Sequence, residues 1–280
     1  MIMHKPFKIA CAQPVIDADI NHNCGQIKNM MRRAAHKEAR LIHFPEGALS
    51  GYIKTQIKDW EDVNWSLLKK ELEAIAELAG QLKIWVVIGS NHRLTYPNRP
   101  HNSLYVISDQ GKIEHRYDKR LISHVELKHW YTPGKRPVVF EVDGVRFGLA
   151  TCIEINFAEI FLEYESFGVD CLLCSSYSDN PDFKQLAIAH SMLNCFWFSL
   201  ALPANVSKIQ PSVFVGPDGK ILKSARRGRP SIIFHSIDPD DPAFKKALKR
   251  SRPWRRKARS KNFFEDFQVD DPRSRNQNVL

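Results

Sequence analysis

Glu46, Lys119 and Cys152 are three residues whose types and settings could do chemistry together. Each stands where an apolar run gives way to polar sequence. Glu46 lies between Pro45 and Gly47 after the run 41–44, Lys119 lies in Tyr117-Asp118-Lys119-Arg120, and Cys152 follows the run 145–150. Polar residues at strand ends are where α/β folds place their sites. A free thiol has a pKa of about 8.5 and attacks as the thiolate. A neighbouring lysine favours that thiolate and a carboxylate can accept its proton, a pairing of nucleophile and general base. The lysine, helped by a backbone N–H at the start of a following helix, can later stabilise an oxyanion. Whether the three meet in space is left open by their positions in the chain.

Ser175, Ser176 and Tyr177 follow a predicted strand that ends near the expected cleft, and Tyr52 follows Gly51 just beyond Glu46; Tyr52, Ser176 and Tyr177 are taken as substrate-binding candidates. Taken singly, every site residue has a plainer reading: Cys152 as a small buried residue, Lys119 as a solvated lysine, Glu46 as a turn cap. Glu154 reads as a structural turn carboxylate, Glu159 as a first-turn acid favoured by a helix N-terminus, and His43 as a hydrogen-bonded core residue. The 11 histidines include no H-E-x-x-H and no clear ligand pair, so no metal is assigned. Cys171 and Cys174 form a C-x-x-C, but within the apolar run 169–175 they would sit on one strand and point to opposite faces. They are expected to be core residues.

The elements that must position these groups follow from periodicity and turn chemistry. Strands are expected over 7–13, 41–44, 85–89, 104–108, 112–116, 138–142, 145–150, 169–174, 198–202, 212–215, 220–223 and 231–237. Helical spacing marks 23–39, 66–82, 158–167 and 184–195, with Ser66 expected to cap the second. Asp143-Gly144 is the strongest hairpin signal in the chain. This alternation, with hairpins interleaved, indicates one mixed-sheet α/β layered domain over residues 1–244.

Phe44-Pro45-Glu46-Gly47, Tyr117-Asp118-Lys119-Arg120 and Thr151-Cys152-Ile153-Glu154, in that order, resemble the motifs of the nitrilase superfamily of carbon–nitrogen hydrolases. The likeness runs from Lys8-Ile9-Ala10-Cys11-Ala12-Gln13-Pro14 to Ser231-Ile232-Ile233. It implies a four-layer α-β-β-α sandwich with two mixed sheets, pairing through helices into a homodimer or higher oligomer, with no metal and no organic cofactor. It implies Glu46 as general base, Cys152 as nucleophile, and Lys119 with the Ile153 N–H as oxyanion partners. Glu126, followed by Tyr131-Thr132-Pro133-Gly134, matches the additional active-site glutamate. The implied reaction is hydrolysis of a small non-peptide amide through a thioester. Asn156 stands where many members carry arginine, which argues against carbamoyl amino acids, and Ile153 stands where nitrilases usually carry tryptophan, which favours amides over nitriles.

The net charge of +10 is local: ten of the 41 lysines and arginines lie within 245–261, where there is no acid, leaving 31 bases against 31 acids. Residues 245–280 are therefore read as a basic C-terminal tail, which the resemblance implies crosses to a partner subunit. Trp254, Phe263 and Phe264 interleave with these charges, as stacking on nucleic acid would require, but no nucleic-acid motif accompanies them and such binding is not favoured. No apolar run approaches the ~20 residues of a membrane-spanning helix, the first ten residues read as a strand rather than a secretion signal, and the scattered cysteines suit the cytoplasm. The alternatives are a nitrilase-like scaffold that binds a ligand or protein without turnover, and a nucleic-acid-associated protein acting through the tail.

Overall fold

The computed structural model describes residues 6–260, 262–275 and 278. Met1–Lys5, included in the N-terminal strand reading, and Lys261 of the basic run lie outside the described residues, as do 276, 277, 279 and 280. The strands are β1 (Phe7–Gln13), β2 (Leu41–His43), β3 (Trp85–His92), β4 (His101–Ile107), β5 (Ile113–Asp118), β6 (Val139–Val142), β7 (Val145–Thr151), β8 (Cys171–Ser175), β9 (Trp197–Ala201), β10 (Val213–Val215), β11 (Ile221–Ser224) and β12 (Ser231–Ile237). The helices are α1 (Ile20–His36), α2 (Trp65–Leu82), α3 (His124–His129), α4 (Ala158–Ser166), α5 (Asp182–Asn194), α6 (Arg252–Ala258) and α7 (Pro272–Arg275), with shorter helical turns between them.

Two mixed six-stranded sheets result, in the orders β12-β1-β2-β3-β4-β5 and β11-β10-β9-β8-β7-β6. In each, three adjacent strands pair in parallel (β1, β2, β3 and β7, β8, β9) and every other neighbouring pair is antiparallel. Apolar side chains of both sheets, among them Ile9, Val87, Phe147 and Leu173, form one core between them. A second core lies under α1 and α2 and a third under α4 and α5. The result is the expected four layers, α-β-β-α. Cys171 belongs to the inter-sheet core and Cys174 to the α4/α5 core, as strand alternation requires.

Local chemistry accounts for the element boundaries, and corrects two of them. α1 begins at Ile20 because the Asp19 side chain accepts from the Asn21 N–H at 2.8 Å. α2 is capped by Asn64, whose side chain accepts from the Leu67 N–H at 2.9 Å, and not by Ser66. α3 was not expected from periodicity; six residues are too few to show a helical stripe. In the β6–β7 hairpin Asp143 and Gly144 both take positive φ, 50° and 81°, the two-residue turn that matches strand twist.

The basic segment folds on its own chain. Phe244 and Leu248 join the inter-sheet core. Arg256 and Arg259 donate to the buried Glu165 carboxylate at 2.9 and 3.1 Å, and Arg252 pairs with Asp170 at 3.0 Å. Arg255 reaches the carbonyls of Met192 and Leu193 near the end of α5, where the helix leaves acceptors free.

His43 ties the sheets together across their core. Its Nδ1 and Nε2 lie 2.9 Å from the hydroxyls of Ser199 in β9 and Ser175 in β8. Burial pushes its pKa down from 6.5 to about 3, so it is neutral when folded. Between those values the unfolded chain binds a proton that the native state refuses, so stability falls as pH falls. Denaturant unfolding between pH 7 and pH 4 should therefore show a slope approaching about 1.4 kcal/mol per pH unit from this residue. A slope unchanged in His43→Asn would place that proton uptake elsewhere.

Candidate active site

β5 runs in the same direction as β1–β3, because two antiparallel steps separate it from β3. The chain therefore leaves β2 and β5 at one end of the first sheet, and β7 and β8 leave the second sheet side by side. Glu46, Lys119, Cys152 and Ser176 follow these four ends. Close backbone approaches fix two of the exits. A Cβ on Gly89 of β3 would lie 2.4 Å from the Pro45 carbonyl and 2.8 Å from Glu46 Cα, so only glycine lets the Glu46 turn lie on that strand. A Cβ on Gly134 would lie 2.1 Å from the Asp118 carbonyl, and the Gly134 N–H donates to the Lys119 carbonyl at 2.8 Å.

At the centre, the Lys119 ammonium donates to Glu46 Oε1 at 3.1 Å and to both oxygens of Glu126 at 3.1 and 3.2 Å. Lys119 and Glu46 are 1% and 0% exposed, so this charge network has no contact with bulk water. Asn102 Nδ2 donates to Glu46 Oε1 at 2.7 Å and the Tyr177 N–H to Oε2 at 2.9 Å. Glu126 sits on α3, where a capping box with Ser123 fixes it: its own carboxylate accepts from the Ser123 N–H at 3.1 Å.

Cys152 adopts φ 51° where β7 turns into a short 3-10 helix. A left-handed conformation is strained for a residue with a side chain and is held here by its surroundings. The chief holder is Glu154. Its buried carboxylate accepts from the N–H groups of Thr151 (2.7 Å), Arg120 (2.7 Å) and Leu121 (3.0 Å) and from the Tyr117 hydroxyl (2.7 Å). One carboxylate thus joins the end of β5, which carries Lys119, to the end of β7, which carries Cys152.

The charges act on one another in a definite direction. Burial, then the charge of Glu46, pushes the Cys152 thiol up to about 12, while Lys119 and the nearby Ser176 hydroxyl pull it down. Glu46 is raised above the ordinary carboxylate value by burial, with Glu126 adding to the rise and Lys119 and Asn102 opposing it. Burial also works against ionised Glu126, but Lys119 and Ser123 outweigh it and hold this carboxyl below its ordinary value. Lys119 remains charged: burial opposes this, and Glu46, Cys152 and Glu126 overcome it. Two carboxyls pushed in opposite directions are suited to different tasks, one to exchange a proton and one to stay anionic.

The other expected residues lie around this centre. Tyr52 and Tyr177 stack with ring centroids 4.5 Å apart and planes 5° apart, and Gln56 clasps them, accepting from the Tyr52 N–H and donating to the Tyr177 hydroxyl at 3.0 Å each. Burial and the charges of Glu46 and Cys152 keep the Tyr52 phenol protonated. Ser176 is fully buried and its hydroxyl faces the Cys152 thiol. Ile153 starts the turn after Cys152, where helix N–H groups lack intrahelical acceptors. Sequence reasoning missed Asn102, a buried amide inside β4, and Tyr131, whose hydroxyl donates to Asn91 at 2.9 Å beside the charged cluster. It also missed α3, although the spacing Ser123-x-x-Glu126 is a capping-box signal. Among the described residues no group of three or more His, Cys, Asp or Glu side chains is arranged to hold a metal ion.

Comparison with known proteins extends the likeness. The carbon–nitrogen hydrolase family model matches residues 8–244. A probable nitrilase of Schizosaccharomyces pombe is 24% identical over 249 residues, covering 83% of this chain and 89% of that protein. A 2-oxoglutaramate amidase of Bacillus subtilis is 24% identical over 219 residues, 74% of this chain and 81% of its own length. Among solved structures, an amidase from Nesterenkonia superposes with a TM-score of 0.76 at 21% identity, covering 90% of this chain and 98% of that one, which establishes the shared fold.

Two outcomes follow from this geometry. Alkylation of Cys152 should follow the ionisation of Glu46 at acidic pH and level off near neutrality. In Glu46→Gln that acidic limb should vanish and labelling at pH 7 should slow by about 10²-fold or more, rising only with the thiol's own alkaline titration. Identical profiles in the two proteins would show that Glu46 takes no proton from the thiol. Glu154→Gln keeps the volume but turns an N–H donor toward N–H donors, and should lower unfolding free energy by about 2–5 kcal/mol in denaturant titration. A change under 1 kcal/mol, on the order of one ordinary hydrogen bond, would mean that the tie to four donors carries little.

Proposed function

The chain belongs to the carbon–nitrogen hydrolase family, and we propose that it hydrolyses small amides through a thioester on Cys152. The observation that carries this reading is the buried Glu46–Lys119–Glu126 network beside a thiol held on a left-handed turn. Glu46 accepts the Cys152 proton as sulfur attacks the amide carbonyl. The exchange converts thiol and carboxylate into thiolate and carboxylic acid, so the net charge of the buried cluster does not change. Lys119 and the Ile153 N–H stabilise the tetrahedral oxyanion. Protonated Glu46 then gives its proton to the leaving nitrogen, and ammonia or an amine departs. Glu46 next deprotonates a water that attacks the thioester, releasing the carboxylic acid and restoring the thiol. Glu126 stays anionic and holds Lys119 in place.

The Tyr52–Tyr177 stack and the complete burial of the charged residues favour short acyl groups. Asn156 is exposed and bonds its own turn at Ile153, so it offers no cation for a carboxylate. Under the same reading the protein works in the cytoplasm as a homo-oligomer. The unpaired state of all six cysteines supports a reducing compartment. Exposed Leu162 of α4 and Met192 and Leu193 of α5 support association through these helices. No helix among the described residues is long and apolar enough to cross a membrane.

Ammonia release from a panel of short aliphatic amides, with matched nitriles and N-carbamoyl compounds, tests the proposal. Amides should be turned over fastest. Cys152→Ala should lose on the order of 10⁴-fold or more, and intact-protein mass spectrometry of the parent protein quenched during turnover should detect an acyl adduct on Cys152 that is absent in Glu46→Gln. Full activity in Cys152→Ala would overturn the mechanism.

A further inference from the structure

A cavity of about 420 Å³ opens on the outer side of the first sheet, between the first turns of α2 and strands β3 and β4. Its size falls within the range of small-molecule sites. Trp65, Leu68, Leu72 and Tyr105 supply apolar walls, and no residue of the catalytic centre lines it.

Three observations give it a chemical preference. Ser90 is 1% exposed, lines the cavity, and its hydroxyl has no hydrogen-bond partner. Strand alternation places Ser90 on the α2 side, since Ile88 packs under α2 while Asn91 turns inward to Tyr131. An orphaned buried hydroxyl is uncommon enough to need an explanation. Next, Arg116 donates to His92 Nε2 at 2.6 Å, so the ring proton sits on Nδ1 and is donated to the Tyr105 oxygen at 2.7 Å. That leaves the Tyr105 hydroxyl hydrogen free to donate. Finally, Arg93 at the mouth stacks over Trp65 at 5.9 Å and has no carboxylate partner among the described residues, whereas Lys69 is paired with Glu73. Two hydroxyl donors and one unbalanced positive charge face an apolar hollow.

We propose that this cavity binds a small carboxylic acid with an apolar tail. The carboxylate accepts from Ser90 and Tyr105, Arg93 supplies the opposite charge, and the tail lies along Leu68 and Leu72. The site is separate from the catalytic centre and independent of the reaction proposed for it. It nevertheless shares structure with that centre: Trp65 packs on Trp60, and Trp60 packs on Tyr131 and Trp130.

Calorimetric titration of the Cys152→Ala protein with hexanoate, hexanamide and hexylamine tests the assignment without turnover. Hexanoate should bind saturably and hexylamine should not. Ser90→Ala and Arg93→Gln, introduced separately, should each weaken hexanoate by about tenfold, and Leu72→Trp should abolish it by filling the hollow. The same Ser90 and Arg93 substitutions in the parent protein should leave the pH profile of Cys152 alkylation unchanged, which reports an intact fold. Equal affinity for hexanoate in the Ser90 and Arg93 variants, equal binding of hexylamine, or no saturable binding would each overturn the proposal.

Discussion

A lysine ammonium removed from water must be neutralised where it stands, and Lys119 is neutralised by two carboxylates. Desolvating such an ion costs several kcal/mol even after relaxation, and losing one partner of a buried pair is correspondingly severe. Burial first, and then the charge of Glu46 in a cluster with two acids around one base, hold the neighbouring thiol in its protonated form. A thiolate would add a second uncompensated charge, and the rise of the Cys152 pKa to about 12 expresses that penalty. In the proposed mechanism, proton transfer to Glu46 avoids it, because one negative charge disappears as another appears.

The surrounding fold meets the positional demands of this cluster. Parallel strands at the centre of each sheet deliver chain ends to one rim, and the antiparallel excursion through β4 and β5 brings Lys119 back to that rim. Two glycines allow backbone contacts that any side chain would block. Glu154 converts this juxtaposition into a fixed geometry, because its acceptors are filled by groups from both strand ends and neither can shift without orphaning buried donors. Glu126 likewise serves a helix cap and an ion pair at once, so α3 cannot move without disturbing Lys119.

Charge is handled differently at the periphery. Four of the ten basic residues of 245–261, Arg252, Arg255, Arg256 and Arg259, are drawn onto Glu165, Asp170 and the carbonyl end of α5. Glu165 is nearly as buried as Glu46 and Glu126, but its bases are Arg256 of α6 and Arg259 just beyond that helix. A segment that looks in composition like a nucleic-acid arm thereby acts, in part, as a brace across α4 and α5.

What was legible in the sequence was what short stretches encode. Apolar runs and helical stripes marked most of the strands and four of the helices, Asp143-Gly144 marked its hairpin, and the ordered motifs around Glu46, Lys119 and Cys152 marked the residues now found at adjoining strand ends. Such signals are local, because the side a residue buries and the turn it permits depend on its neighbours in the chain. The tertiary structure alone decided the partners. Asn64 rather than Ser66 caps α2 because capping depends on backbone geometry. Asn102 and Tyr177 hold Glu46, and Glu154 reaches back to residues 117–121, because these contacts join segments dozens of residues apart. The directions of the pKa shifts and the unpartnered hydroxyl of Ser90 belong to the same class. They arise from desolvation and from long-range hydrogen-bond accounting, which periodicity does not contain and only the packed molecule determines.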